Sequence, residues 1–122
     1  MRAKIVTLSI ISLLVLSLIF FLWNRRNHFM CVGAGWGKIN IVKFSYILGG
    51  DVNGTIKEGL PLNAASSRHI GNVDVVKFLV KKGANVNSYD EKGKTPLLCA
   101  SREGNTEIIE FLIKNGADIS AE

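Results

Sequence analysis

The feature that most constrains the fold of this chain is an internal repeat with a period of 33 residues. The segment that begins at Gly71 is GNVDVVKFLVKKGANVN, and the segment that begins at Gly104 is GNTEIIEFLIKNGADIS. Both contain Gly-Asn, a pair of β-branched residues, Phe-Leu, and then Gly-Ala followed by Asn or Asp. Such a period is typical of stacked supersecondary units, because each unit buries its apolar face only against its neighbours.

Each copy predicts a helix with one apolar face. Apolar residues lie at spacings of three and four over 75–80 in one copy and over 108–113 in the other, which is the pattern of an amphipathic helix. Gly83 and Gly116 follow these segments, where a left-handed C-cap favours glycine.

A second sequence pattern precedes the last of these helices. Residues 90–104 are DEKGKTPLLCASREG, with Thr95 as the predicted N-cap and Pro96 in the first helical turn. With the residues that follow, this stretch resembles an ankyrin repeat, whose pattern is D-x-x-G-x-T-P-L-H-x-A-A-x-x-G, an apolar helix and G-A-D-V-N. The family has a His after Pro-Leu that ties adjacent loops by hydrogen bonds, and Asn63 and Leu98 stand in its place.

An earlier copy of the repeat begins at Gly37. Its sequence, GKINIVKFSYILGGDVN, aligns with the copy that begins at Gly71 after an offset of 34 residues. The stretch HFMCVGAGW then takes the place of the first helix of this degenerate repeat. Because glycine is about 1 kcal/mol less favourable than alanine in a helix, we expect Gly33 and Gly35 to make this stretch a flexible joint.

A long apolar segment precedes the repeats. Ile5–Trp23 contains 19 residues with no charge, no proline and no glycine. As a helix it would be roughly 28 Å long, which matches the hydrocarbon core of a bilayer. The segment therefore predicts a single-pass membrane anchor, and the localisation that follows is a membrane.

A cleaved secretory signal is the alternative interpretation of this segment, because Arg2 and Lys4 precede the apolar run. The run is longer than a usual signal core, and the nearest small residues, around 32–34, lie beyond Arg25 and Arg26. The basic residues flank both ends almost equally, so the positive-inside rule does not assign the side on which the repeats lie.

The distribution of charge argues against nucleic acid as a partner. Residues 1–28 hold four basic and no acidic side chains, whereas the other 94 residues hold 11 basic and 10 acidic ones. The basic excess thus belongs to the flanks of the apolar segment, where it suits lipid headgroups. The part that follows has no cationic surplus for a phosphate backbone.

Chemical sites are not indicated either. The stretch VGAGWGKIN, residues 32–40, resembles a phosphate loop at first sight, but Lys38 is followed by Ile39 rather than by Ser or Thr. His28 and His69 have no partner arrangement typical of catalysis, and Cys99 fits a buried apolar position. We therefore expect no enzyme, no cofactor and no metal site.

The resemblance implies an all-α fold: an ankyrin-repeat solenoid of helix–turn–helix units with loop fingers, preceded by one hydrophobic transmembrane-type helix. The predicted organisation is a basic flank (1–4), the anchor helix (5–23), a basic, Gly-rich joint with the start of repeat 1 (24–36), the rest of repeat 1 (37–53), repeat 2 (54–87) and repeat 3 (88–122).

The family binds protein partners through its loop tips and the concave face of its first helices. At the matching positions this rule implies contacts by nine residues: Lys57, Glu58, Leu60, Arg68, Glu91, Lys92, Lys94, Arg102 and Glu103. The function expected is that of a non-catalytic adaptor tethered to a membrane, with an unknown protein as its partner.

Three further interpretations remain open at this stage. The protein is a secreted, effector-like ankyrin protein if the signal is cleaved, or a truncated remnant without a present function. Apolar side chains over Ile108–Ile113 without a polar cap after them would also favour self-association.

Overall fold

All regular elements of the described chain are α-helices. The computed structural model describes residues 2–55, 59–67 and 73–119. Its helices are α1 (Arg2–Asn24), α2 (Arg26–Gly35), α3 (Ile39–Ile47), α4 (Pro61–Ser66), α5 (Val73–Lys81), α6 (Pro96–Glu103) and α7 (Thr106–Lys114). After α1 they form three packed pairs, α2–α3, α4–α5 and α6–α7, so the all-α expectation is confirmed.

The helix ends follow the sequence signals. The Thr95 hydroxyl accepts a hydrogen bond from the Leu98 N–H at 3.2 Å, and Pro96 lies in the first turn of α6. Gly83 and Gly116 follow α5 and α7 with φ of 96° and 93°, a left-handed conformation that side chains with a Cβ rarely adopt. Local sequence therefore determines where these helices begin and end.

One apolar core extends through all three helix pairs. Its buried members are Met30, Ala34, Val42, Val52, Leu62, Ala65, Val75, Val76, Leu79, Ala84, Ala100, Ile108, Leu112 and Ala117. Ile108 and Leu112 are fully buried, so the expectation of an uncovered apolar surface over Ile108–Ile113 is wrong for these two. Ile113 remains 40% exposed.

The Gly-rich segment is a packed helix and not a flexible joint. Residues of α2 that include Met30, Cys31 and Ala34 are buried against the rest of repeat 1. A Cβ on Gly33 would lie 2.9 Å from Cγ2 of Ile41, so α3 approaches the backbone of α2 too closely for any side chain here. The low helix propensity of glycine is outweighed because its small size permits this close contact.

Asparagine side chains join each repeat to the next. Asn53 donates from Nδ2 to the Gly83 carbonyl at 3.0 Å and accepts from the Asn85 N–H at 2.8 Å. One repeat later, Asn87 does the same with Gly116 (3.0 Å) and Asp118 (2.7 Å). We call this pair of hydrogen bonds the loop clamp. It satisfies the carbonyl of the glycine that follows the C-cap and an N–H two residues later, neither of which a helix can satisfy itself.

In repeat 1 two side chains of α2 replace the asparagine of the loop clamp. Arg26 donates from Nε to the Gly49 carbonyl at 3.0 Å, and Asn27 accepts from the Asp51 N–H at 2.9 Å. Gly49 and Asp51 stand where Gly83 and Asn85 stand one repeat later. The repeat array is therefore clamped at its first loop by the segment that directly follows α1.

Helix α1 is long and apolar enough, by length and composition, to cross a membrane. It has 23 residues and none of them is buried, whereas a core helix of a soluble protein is mostly buried. A signal sequence near the N-terminus also meets these criteria of length and composition.

The end of α1 contacts the repeat array through Arg26. This guanidinium donates to the Trp23 carbonyl at 2.6 Å and lies over the Trp23 ring, 4.1 Å from its centroid. It also binds Gly49, so Arg26 connects α1 to the first loop clamp. The charge pattern of the sequence places Arg26 among the cations that suit lipid headgroups, but its Nε and Nη1 donate hydrogen bonds within the protein.

Substitution of the two glycines of α2 by alanine is expected to have opposite effects. Gly33→Ala should lower the free energy of unfolding by about 1–3 kcal/mol, because its Cβ would overlap Ile41. Gly35→Ala is the matched control: the nearest atom would be Cβ of Ala64 at 3.7 Å, and the gain in helix propensity should stabilise the chain by up to about 1 kcal/mol. Thermal unfolding of the full chain in detergent measures both, and equal shifts would contradict close packing at Gly33.

Candidate partner-binding groove

A groove lies between the first helices of repeats 2 and 3 and the loop that precedes α6. Its volume is about 530 Å³. It is lined by Thr55, Gly59, Asn63, Ala64, Ser67, Tyr89, Asp90, Glu91, Lys92, Lys94 and Cys99. Both helices contribute, since Asn63 and Ala64 belong to α4 and Cys99 belongs to α6. The groove therefore exists only because two repeats are stacked.

Asp90 builds the loop finger that forms one wall of this groove. Its carboxylate accepts hydrogen bonds from the N–H groups of Lys92 (2.9 Å) and Lys94 (3.0 Å). Its own N–H donates to the Lys94 carbonyl at 3.1 Å, and the Gly93 N–H donates to the Asp90 carbonyl at 2.9 Å. One short side chain thus closes the turn that presents Glu91 and Lys92 at its tip.

The pKa of Asp90 is lowered by this arrangement. The hydrogen bond from the Lys94 N–H is the largest cause, and the Lys92 N–H, the charge of Lys94 and the side chain of Asn63 act in the same direction. Partial desolvation opposes them without cancelling them. The charged carboxylate is therefore the form that holds the finger closed.

Asn63 ties α4 to the finger of the next repeat. Its Nδ2 donates to the Lys94 carbonyl at 2.8 Å. Asn63 stands in place of the histidine that ties adjacent loops in the family, and its amide supplies one hydrogen bond to the next loop. Asn63 is 5% exposed, and its Oδ1 is a buried acceptor with no hydrogen-bond partner in the described chain.

The structure brings together only some of the nine predicted contact residues. Glu91, Lys92 and Lys94 line the groove. Arg102 and Glu103 lie at the end of α6 and do not line it. Lys57, Glu58 and Arg68 lie outside the described residues.

Leu60 is a correction to the predicted contact set, because it is only 5% exposed. It occupies the N-cap position of α4 with an extended backbone, at the start of the helix and not at a loop tip. An apolar side chain in that place is buried with the start of the helix.

Tyr89 lines the groove, although it is not among the nine contact residues predicted from the sequence. It is 73% exposed and precedes the finger. The signal available in the sequence was an aromatic residue directly before the loop carboxylates, since exposed tyrosines are enriched where proteins bind. Cys99 also borders the groove and is buried, as its apolar repeat position predicted.

The arrangement of the groove suits recognition by contact. It combines an aromatic ring, charges of both signs and backbone held in place by hydrogen bonds. Over residues 2–55, 59–67 and 73–119, no group of three or more His, Cys, Asp or Glu side chains is placed to hold a metal ion.

Stacked helix pairs with loop fingers and loop clamps define a helical repeat protein, a class whose open surface binds other proteins. A family model of ankyrin repeats in three copies matches residues 29–122. The chain belongs to the ankyrin-repeat family, which is generally non-catalytic and serves protein–protein interaction. The match begins within α2, and its three copies agree with the three repeats expected from the sequence.

Among curated proteins, the chain is similar to the potassium channel AKT1 of Arabidopsis thaliana. The two are 35% identical over 71 residues, which is 57% of this chain and 8% of the channel. The chain therefore spans less than a tenth of the length of this relative.

The finger should lose stability in acid through Asp90. Because the folded pKa is below the ordinary value of about 3.9, the charged carboxylate contributes stability above that pH. The contribution disappears as the pH falls through the folded pKa. We expect Asp90→Asn to be less stable than the wild type at pH 7, with the difference shrinking in acid.

The measurement is the free energy of unfolding of both chains between neutral pH and pH about 3. Glu91→Gln is the control, because Glu91 is exposed and adjacent to Asp90. It is expected to leave stability at pH 7 unchanged. A constant gap between Asp90→Asn and the wild type at all pH values would contradict the role of the charge.

Proposed function

We propose that this chain is a non-catalytic interaction module that is tethered to a membrane by α1 and binds a protein partner in the groove between repeats 2 and 3. The observation that carries the proposal is an apolar helix of 23 residues without a buried residue, separated from the first helix of the repeat array by the single residue Arg25. A tether of this kind raises the effective concentration of the groove towards partners at the same membrane.

The packing of α2 supports an uncleaved anchor over a cleaved signal. The nearest small-residue segment for cleavage, 32–34, lies inside α2. Cleavage there would remove Met30 and Cys31, which are buried in repeat 1. It would also remove Arg26 and Asn27, which clamp the first loop.

The groove favours a partner segment that carries both charge and an apolar side chain. Glu91 and Lys92 at the finger tip offer charges of opposite sign, and Tyr89 offers a ring beside them. Exposed pairs of charges select a partner more than they strengthen its binding. Binding energy would come mainly from burial of Tyr89.

Photo-crosslinking tests the groove. Benzoylphenylalanine in place of Tyr89 (73% exposed) should form adducts with a protein in the native membrane, whereas the same probe at Ile119 (69% exposed) should not. The exchange Glu91→Lys with Lys92→Glu keeps the net charge and should reduce the adducts, since the charge order of the finger is reversed.

The matched control for this exchange is Lys77→Glu with Glu107→Lys. These two exposed side chains form an ion pair at 3.9 Å on α5 and α7, away from the groove. The control should leave the adducts unchanged. Equal adducts from both probe positions, or equal loss in both exchanges, would contradict the groove as the binding site.

Membrane extraction tests the tether. The full chain should stay in the membrane fraction after alkaline extraction, with the intact mass of all 122 residues. Leu13→Lys with Leu14→Lys should release it, because a lysine at the bilayer centre costs about 2.5–3.5 kcal/mol. Ile119→Lys is the control outside α1 and should stay bound. A mature chain that begins at or beyond residues 32–34 would identify a cleaved signal instead.

A further inference from the structure

Helix α3 differs from α5 and α7 at both ends of its exposed face. The first turns of α5 and α7 contain an acidic residue and their last turns contain a lysine: Asp74 and Lys81, and Glu107 and Lys114. At the equivalent positions α3 has Asn40 and Ile47. Ile47 is 79% exposed. An apolar residue thus stands where the other two repeats have a lysine, whose charge is solvated by water and interacts favourably with the helix dipole.

The exposed apolar surface of α3 extends to the end of α1. Phe44, one turn before Ile47 and on the same face, is 47% exposed, whereas Phe78 and Phe111 at the equivalent positions of repeats 2 and 3 pack partly buried against the core. A cavity of about 360 Å³ lies beside Phe44 and is lined by Leu22, Phe29, Asn40, Ile41 and Phe44. Since Leu22 belongs to the last turns of α1, this apolar surface continues directly from the anchor helix.

The charged side chains of the segment that forms this surface, residues 1–50, all have one sign. Residues 1–50 contain six basic and no acidic side chains, and the remaining residues contain nine basic and ten acidic ones. Arg25 lies with its guanidinium carbon 5.8 Å from the centroid of the Phe21 ring, and Lys38 is exposed at the start of α3. Cations beside an apolar surface suit anionic headgroups above acyl chains.

We propose that the α2–α3 pair is itself a lipid-binding surface, with Phe44 and Ile47 in the interfacial layer of an anionic bilayer and Arg25 and Lys38 at its headgroups. This inference rests on the proposed insertion of α1. The inference adds that repeat 1 lies on the membrane surface, so that the bilayer orients the repeat array as well as holding it through α1.

Continuity with α1 distinguishes a bilayer from a second copy of the chain as the occupant. Leu22 lies near the C-terminal end of the apolar segment, at the depth where the hydrocarbon core meets the headgroups when α1 spans the membrane. The cavity that Leu22 lines is therefore at the level of the lipid interface. Lipid is present there at far higher local concentration than another copy.

Two variants with a single tryptophan test the proposal in the full chain. The sequence contains only Trp23 and Trp36. Trp36→Phe leaves Trp23 as a reporter of the anchor. The second variant places the reporter on α3 and combines three substitutions: Trp23→Phe, Trp36→Phe and Phe44→Trp. Each is reconstituted in vesicles of phosphatidylcholine and phosphatidylserine with brominated acyl chains, and fluorescence quenching is measured.

We expect both reporters to be quenched, and the α3 reporter more strongly with phosphatidylserine than without it. Asn40→Asp with Ile47→Lys gives α3 the charge pattern of α5 at unchanged net charge. This exchange should lower quenching of the α3 reporter by about half, with no change at the anchor reporter. Ile119→Lys, in the last described loop, should change neither.

Each other outcome overturns the inference in a recognisable way. A quenched anchor reporter with an unquenched α3 reporter leaves the tether intact and excludes a lipid-bound repeat 1. A blue-shifted α3 reporter without quenching indicates that a second copy of the chain covers Phe44. An unquenched anchor reporter refutes the tether itself, and the inference with it.

Discussion

The fold depends on the burial of one apolar face between consecutive helix pairs. A single pair such as α4–α5 contains too few residues to enclose its own apolar side chains, so Val75, Val76 and Leu79 become fully buried only in the stack. The loop clamps then fix the stacking distance, because Asn53 and Asn87 each bind two backbone groups of the following loop. Apolar burial drives the assembly and the clamps set its register.

Repeat 1 satisfies the same constraints with different residues. It is preceded by α1 and not by another repeat, and the clamp on its first loop is divided between Arg26 and Asn27. The Ser45 hydroxyl donates to the Arg26 carbonyl and adds a second contact between α2 and α3. Gly33 lets these helices approach. Repeat 1 thus departs from the other repeats at residues that make contacts near the junction with α1.

The stacking of helix pairs gives the protein two different surfaces: the candidate groove and the apolar surface beside the end of α1. Fingers and first helices face the groove, where charges of both signs lie around Tyr89. The second helix of repeat 1 faces the end of α1 and has no acidic residue. The candidate groove is thus lined by first helices and a finger, whereas the apolar surface beside the end of α1 is lined mainly by α3.

The sequence alone determined the repeat, its period and most helix ends, because these depend on local signals such as Thr95, Pro96 and Gly116. It also determined that α1 is long and apolar enough to span a membrane. It located part of the candidate groove, since Glu91, Lys92 and Lys94 follow from the position of the finger in the repeat.

Only the tertiary structure decided what depends on neighbours. Gly33 lies in a packed helix because Ile41 is against it, and Leu60 is buried because its place is under the start of α4 and not at a loop tip. In the sequence Arg26 flanks the apolar segment, where a cation suits lipid headgroups, yet its guanidinium donates to the carbonyls of Gly49 and Trp23. Propensity and charge are properties of single residues, whereas close approach, burial and hydrogen-bond partners exist only after the helices have packed.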